Sequence, residues 1–235
     1  MLAPAIFLGK LTHPDFSLSE EYFTQLGDFF TSYRNNYFIW VESTDLLKIG
    51  EYNIHYGSEE VKHKTKKALE PIMNAFCSKN LEINSLPEKL EFYLNKTGIK
   101  KENVISITIN ETKPQTLMDI GKSLTELRKE GFLLIGLGNI TQKNQITEEK
   151  PLESVLEFDS WVRVKLWEFD YYALRDIDNI FPFQRGLYQD KKQSYSPFLI
   201  VFGSLEGTDV LYDLFSGFEG NNSLRSFYFK ELVNN

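Results

Sequence analysis

The chain is short of cysteine and histidine: one of the first and three of the second in 235 residues. A lone thiol, Cys77, permits no internal disulfide and no cysteine-based zinc site, which suits a reducing cytoplasm. In AFCSKN, read as a helical segment, it is expected to be a small core residue and not a nucleophile. A basic stripe is also missing. Lys and Arg number 26 against 33 Asp and Glu, a net charge of −7, and the cations are scattered among the acids, so the electrostatic footprint of a nucleic-acid binder is absent. No run approaches the roughly 18 apolar residues of a membrane span, and the opening MLAPAIFLGKL has a short apolar stretch without a cationic lead. The expectation is a soluble, unexported, cytoplasmic protein with neither nucleic acid nor membrane as partner. There is no Gly-x-Ser-x-Gly elbow and no Ser/His/Asp constellation, which disfavours a hydrolase.

What is present is a 42% hydrophobic chain long enough for a substantial core, and one domain over residues 1–235 is expected. Ala5 to Leu8, Tyr37 to Val41 (YFIWV), Val104 to Ile109 (VISITI) and Phe132 to Ile135 read as buried strands, with another at Ser226 to Phe229. Ser19 to Tyr33, Glu59 to Phe76, Thr116 to Glu130 and Val155 to Phe169 carry helical apolar spacing, Gly131 closes the third of these, and Ser196 to Gly203 reads as a further helix. Alternation at this spacing predicts an α/β domain whose sheet is covered on both faces. Thr141 to Lys150 (TQKNQITEEK) reads as the loosest segment.

The stretch FLLIGLGNITQKNQ, Phe132 to Gln145, reads as a strand running into a glycine turn. Glycines after a strand let backbone amides approach a pyrophosphate. Here the third glycine is missing, no clear apolar helix follows, and no acidic residue closes a later strand, so a dinucleotide site is disfavoured.

A longer pattern is more specific. LMDIGKSLTELRKEGFLLIGLGNITQKN, Leu117 to Asn144, resembles the LigB-type class III extradiol ring-cleavage dioxygenases, the family that includes the 4,5-DOPA dioxygenases. Gly121, Leu124, Leu127, Arg128, Gly131, Gly136, Gly138 and Asn139 fit that family's helix, strand and glycine turn. Leu90 to Ile109 resembles the helix, link and strand before that block. FDSWVRVKLWEFDYYAL, Phe158 to Leu174, resembles its F-D-x-W-L helix; SPFLIVFGSLEG resembles E-H-F-L-P, and NNSLRSFYF resembles the closing strand. The resemblance covers most of the chain in the same order. It implies a three-layer αβα fold with a central mixed sheet.

The family binds catalytic iron or zinc through histidines, and the matching positions hold none here. Lys10 stands at the first ligand, Thr44 at the second, Gln142 at the histidine of the glycine turn and Pro197 at that of E-H-F-L-P; the acid/base histidine falls near Leu86. His13, His55 and His63 match none of these and read as exposed. A lysine repels a dication, and Thr, Gln and Pro are no strong ligands. Extradiol cleavage needs a redox metal that binds catecholate and dioxygen together. The resemblance therefore implies a chain without the family's metal cofactor and without usual dioxygenase activity, unless Glu42 or Asp45 rebuild a metal site.

Three functions remain. The first is a pseudoenzyme that keeps the cleft beyond the strand ends and binds a small ligand there, lined by Lys10, Thr44, Asn139 and Gln142. Lys10 would favour an anionic ligand, and the alternative for Lys10 is a salt-bridged lysine with no ligand. The second is a non-catalytic subunit in a homo- or hetero-oligomer, with Tyr171-Tyr172 and Phe181-Pro182-Phe183 as contact patch and Trp161, Val164, Leu166 and Leu174 in the core. The third is an active ring-opening dioxygenase with atypical ligands.

Overall fold

A computed structural model describes residues 2–11, 18–75, 77–83, 86–141, 151–177 and 192–232. Ten strands and seven helices are found among them. In chain order they are β1 Ala5–Gly9, α1 Ser19–Thr31, β2 Phe38–Ser43, β3 Glu51–Tyr56, α2 Glu59–Ala75, β4 Cys77–Ile83, α3 Glu88–Thr97, β5 Val104–Asn110, α4 Pro114–Lys129 and β6 Leu133–Gly138. Then come α5 Glu153–Trp167, α6 Tyr171–Arg175, α7 Lys192–Gly203, β7 Asp209–Phe215, the two-residue strands β8 Phe218–Glu219 and β9 Asn222–Ser223, and β10 Ser226–Glu231.

The eight long strands form one mixed sheet in the order β4-β3-β5-β2-β6-β1-β10-β7. At its centre β5, β2, β6 and β1 run parallel. Their buried, aliphatic-rich sequences (VISITI, FIWV, LLIGLG, AIFLG) are those of strands covered on both sides. β3 pairs antiparallel to β5, and β10 antiparallel to both β1 and β7. Pro114 starts α4, where its missing N–H has no intrahelical partner to lose, and Gly98 ends α3 at φ +70°, which a side chain would strain.

Two cores flank the sheet, so the architecture is three-layer αβα. One joins α1 and α3 (Tyr22, Phe23, Leu26, Phe30, Leu90, Tyr93) to Ile6, Leu8, Phe38, Trp40, Val104 and Ile135. The other sets α2, α4, α5 and α7 against Phe7, Ile39, Val41, Ile54, Ile107 and Leu134. Because β1, β2, β5 and β6 are parallel, their carboxyl ends share one edge. No helix among the described residues is long and apolar enough to cross a membrane.

Several expectations need correction. Cys77 opens β4 instead of lying on a helix, since α2 ends at Ala75. β3, β4 and β7 were not expected as strands. β3 (EYNIHY) and β4 (CSKNLEI) are rich in polar residues and are held as strands by pairing, β3 on β5 and β4 on β3, while β7 (DVLYDLF) pairs antiparallel with β10. His55 is therefore half-buried on β3, while His63 on α2 is exposed as expected. On α5 and α6, Leu166 and Leu174 are buried and Trp161 packs against the core, but Val164 faces solvent. Thr141, expected in the loose segment, is fully buried, its hydroxyl donating to Asn221 O at 3.0 Å.

Candidate functional site at the carboxyl ends of the parallel strands

Lys10 follows the last residue of β1, and its backbone N–H donates to Gly138 O at 2.7 Å, extending the ladder with β6. Glu42 is the fifth residue of β2, on the other side of β6 and opposite Leu137. Alternation along each strand turns Lys10 and Glu42 to the α1/α3 face. Lys10 Nζ lies 3.3 Å from Glu42 Oε2, with side-chain exposures of 26% and 10%. The lysine is thus salt-bridged, the alternative weighed for it from sequence.

Beneath this pair two tyrosines hold the end of β1. Tyr22 Oη donates to Gly9 O at 2.7 Å, and Leu11 N donates to Tyr93 Oη at 3.0 Å. Burial pushes the Tyr93 hydroxyl well up; the bond from Leu11 N–H opposes the shift, and the carboxylates of Glu219 and Glu42 add to it. Burial also raises Tyr22, Tyr93 adds to that rise, and the Ser226 hydroxyl opposes it. Both phenols stay protonated over the ordinary pH range and act as fixed hydrogen-bonding groups.

Asn139 closes the edge from the β6 side. Only 2% exposed, it sends Nδ2 to Lys10 O at 2.9 Å and to Ser223 O at 3.2 Å, and its backbone N–H reaches Ser194 O at 2.9 Å. Its amide donors are spent on joining three segments of the fold. Thr44 is half-buried in the β2–β3 turn; its N–H donates to Ile109 O and its Oγ1 accepts from Leu46 N at 3.2 Å. The structure thus brings Lys10 and Asn139 together and gives Thr44 a role in its own turn. Gln142, His13 and Phe181-Pro182-Phe183 lie outside the described residues. Leu86 is a buried core residue, and Pro197 sits inside α7. Asp45 is exposed.

The glycines of GLGN have a different use from the one their spacing suggests. Gly136 and Gly138 are residues of β6, not of a turn. A Cβ on Gly136 would stand 2.7 Å from Pro197 O, and one on Gly138 2.2 Å from Ser194 O. They let α7 lie directly on the strand, so this face of the motif is filled by helix and offers no room for a pyrophosphate.

The donor set does not fit the family's metal. The position that the resemblance matches to the first ligand holds the Lys10 ammonium ion, which is paired with the Glu42 carboxylate. Thr44 and Asn139 offer only neutral groups already engaged in turn and clamp, which are weak donors for a first-row dication. Among the described residues no group of three or more His, Cys, Asp or Glu gathers.

Sequence reasoning missed Tyr93, Tyr22 and Glu219, and did not pair Glu42 with Lys10. Tyr22 and Tyr93 reach the site through the packing of α1 and α3 on the sheet, and Glu42 meets Lys10 through strand register.

No family model matches the chain, and no curated protein matches it. Among solved structures it is similar to the crystal structure of the uncharacterized protein JW3007 from Escherichia coli K12. That similarity has a TM-score of 0.76 at 17% identity and covers 96% of this chain and 99% of that one. At this identity the likeness is one of fold.

Proposed function

We propose that this chain is a catalytically degenerate LigB-like homologue of the extradiol dioxygenases, a pseudoenzyme that binds a small molecule in the cleft at the carboxyl ends of β1, β2, β5 and β6. Ligands of open α/β sheets bind beyond the strand ends. The observation that carries the reading is the Lys10–Glu42 ion pair, 3.3 Å long, at the ends of the strands where the resemblance puts metal ligands. A lysine ammonium supplies positive charge there without open coordination positions, so dioxygen and a catecholate have no shared centre to bind. An anionic group entering the cleft would compete with Glu42 for Lys10, and its affinity would depend on how far Glu42 gives way. A cytoplasmic location goes with this reading, given the single thiol.

A second reading, a non-catalytic subunit that supports a partner, is favoured by Trp167 and Tyr172, which are 54% and 74% exposed on α5 and α6.

The test is native mass spectrometry of gently purified protein after exposure to ferrous iron and to zinc. The pseudoenzyme reading expects a metal-free chain, with any added mass being an organic ligand. Stoichiometric iron or zinc would overturn it, and a stable oligomer with a second protein would favour the subunit reading.

A further inference from the structure

The helix α5 is apolar on two sides. Val155, Phe158, Val162 and Leu166 face the core, yet Leu156, Val164 and Trp167 on the outer side are 41%, 51% and 54% exposed. Nothing comparable is seen on α1, α3 or α4. Their exposed residues are polar, among them Glu20 and Asp28 on α1, Lys96 on α3 and Lys122 and Glu126 on α4, and no large apolar side chain stands exposed beside them. A helix with apolar residues all round is ordinarily covered all round, so the outer stripe of α5 calls for a second body.

The pattern of the stripe names that body. At about 100° per residue, Arg163, Leu156, Ser160, Val164 and Glu157 follow one another across about 120° of the helix surface, all of them exposed, with the small Ser160 in the middle. A second copy of α5 laid antiparallel over Ser160 by a two-fold axis brings residues equidistant from that serine to one level. Leu156 of one copy then stands at the level of Val164 of the other, and Glu157 at that of Arg163. Apolar meets apolar and acid meets base, each twice by symmetry. A parallel pair would set Glu157 against Glu157 and Arg163 against Arg163, which is repulsive. The serine at the crossing lets the two helix axes approach. Glu157 has no ion partner among the described residues. Arg163 is steadied by Asp213 on β7 at 2.7 Å, and its guanidinium has further N–H donors to give.

The size of the face sets the strength of the contact. With 15 residues α5 is about 22 Å long, and one helix face about 10 Å wide falls well short of the roughly 800 Å² per partner of a standard interface. Such a contact forms and parts reversibly.

We infer that the outer face of α5 is a homodimer contact in which two copies of this chain cross antiparallel at Ser160, with Leu156 packed toward Val164 and Glu157 paired with Arg163. The contact shares Trp167 with the subunit reading above, goes beyond it by naming a second copy of this chain as the partner, and is independent of the strand-end cleft.

Sedimentation velocity of the full chain tests it. Mass should rise from monomer toward dimer between about 5 µM and about 500 µM, the range suited to a small interface. Ser160→Arg, which sets a cation against its own copy at the crossing, should keep the chain monomeric throughout. Glu157→Arg and Arg163→Glu should each weaken self-association about tenfold at low salt. An equal mixture of those two variants makes every cross-contact acid to base again and should dimerise about as well as the parent, which also shows both variants to be folded. A parent chain that stays monomeric over the whole range overturns the inference and leaves the α5 face to a different protein. A dimer that survives Ser160→Arg places the contact elsewhere and overturns it too, and a mixture no better than its separate variants overturns the antiparallel crossing. Iron or zinc bound at the strand ends would sink the pseudoenzyme reading and leave this contact standing.

Discussion

Arg128 Nη2 stands 2.8 Å from Asp209 Oδ1, and neither side chain reaches solvent. The same guanidinium donates from Nε to Ala3 O at 2.9 Å and from Nη1 to Ser204 O at 2.6 Å and to Asp209 Oδ2 at 3.1 Å. One side chain thus ties α4 to the segment before β1, the end of α7 and the start of β7. Removing only the arginine strands a buried carboxylate and two carbonyls. We expect Arg128→Met to cost about 3–5 kcal/mol, and the pair Arg128→Met with Asp209→Leu to recover much of that loss. Urea unfolding of the three chains checks this; a double variant no more stable than the single one would show that the pair's worth lies elsewhere.

Close packing of α4 on α7 rests on Gly121. A Cβ there would stand 2.1 Å from Ile200 O and 2.9 Å from the Gly203 carbonyl carbon, both backbone atoms that cannot swing aside. Gly121→Ala should therefore cost at least about 1–3 kcal/mol, as overpacking does. Gly207→Ala, with nothing within 4 Å of its Cβ, should stay within about 0.5 kcal/mol of the parent. Equal urea midpoints for the two variants would refute the packing account.

The parallel centre of the sheet was legible because its strands are continuous apolar runs. β3 was missed although Tyr52, Ile54 and Tyr56 alternate with Glu51, Asn53 and His55 at the strand period: three polar residues in six masked a half-buried strand. The residues that carry the LigB resemblance turn out to hold the fold. Gly121, Gly136 and Gly138 admit α7, Arg128 joins four segments, and Asp159 of the FDSW stretch accepts from Arg225 Nε at 2.9 Å and from Ser223 Oγ. Such residues reveal architecture and leave chemistry open. The Lys10–Glu42 pair spans 32 positions, and nothing short of strand register would have joined it.

Alkaline pH should weaken the fold. Burial pushes Tyr56 up to about 12, with Tyr52 acting the same way, and raises Tyr22 and Tyr93 as well. In the unfolded chain these phenols ionise near their ordinary value of about 10. Above that pH the unfolded state binds fewer protons than the folded one, so stability is full below about pH 10 and is lost as pH rises toward about 12 and beyond. Urea midpoints taken across that window, with tyrosinate absorbance followed in parallel, give the slope. A midpoint that holds steady while all the tyrosines ionise would sink the idea. Tyr56→Phe should flatten the lower part of the decline.

Asn139 separates a clamp from a ligand-binding role. Its Nδ2 reaches the carbonyls of Lys10 and Ser223 across the end of the sheet, and the residue is buried. Asn139→Leu leaves two carbonyls without their donor and should cost about 1–3 kcal/mol. Asn139→Asp turns a carboxylate on the same two oxygens and should cost more. Thr44→Val, whose hydroxyl serves only Leu46 N among the described residues, should be near neutral. Hydrogen exchange at Lys10 and Arg225 would then quicken in Asn139→Leu and not in Thr44→Val. If Asn139→Leu instead kept its urea midpoint and exchange rates while releasing a molecule bound to the parent chain, the asparagine would belong to the ligand, and the end of β1 would be held by Tyr22, Tyr93 and Ser226 without it.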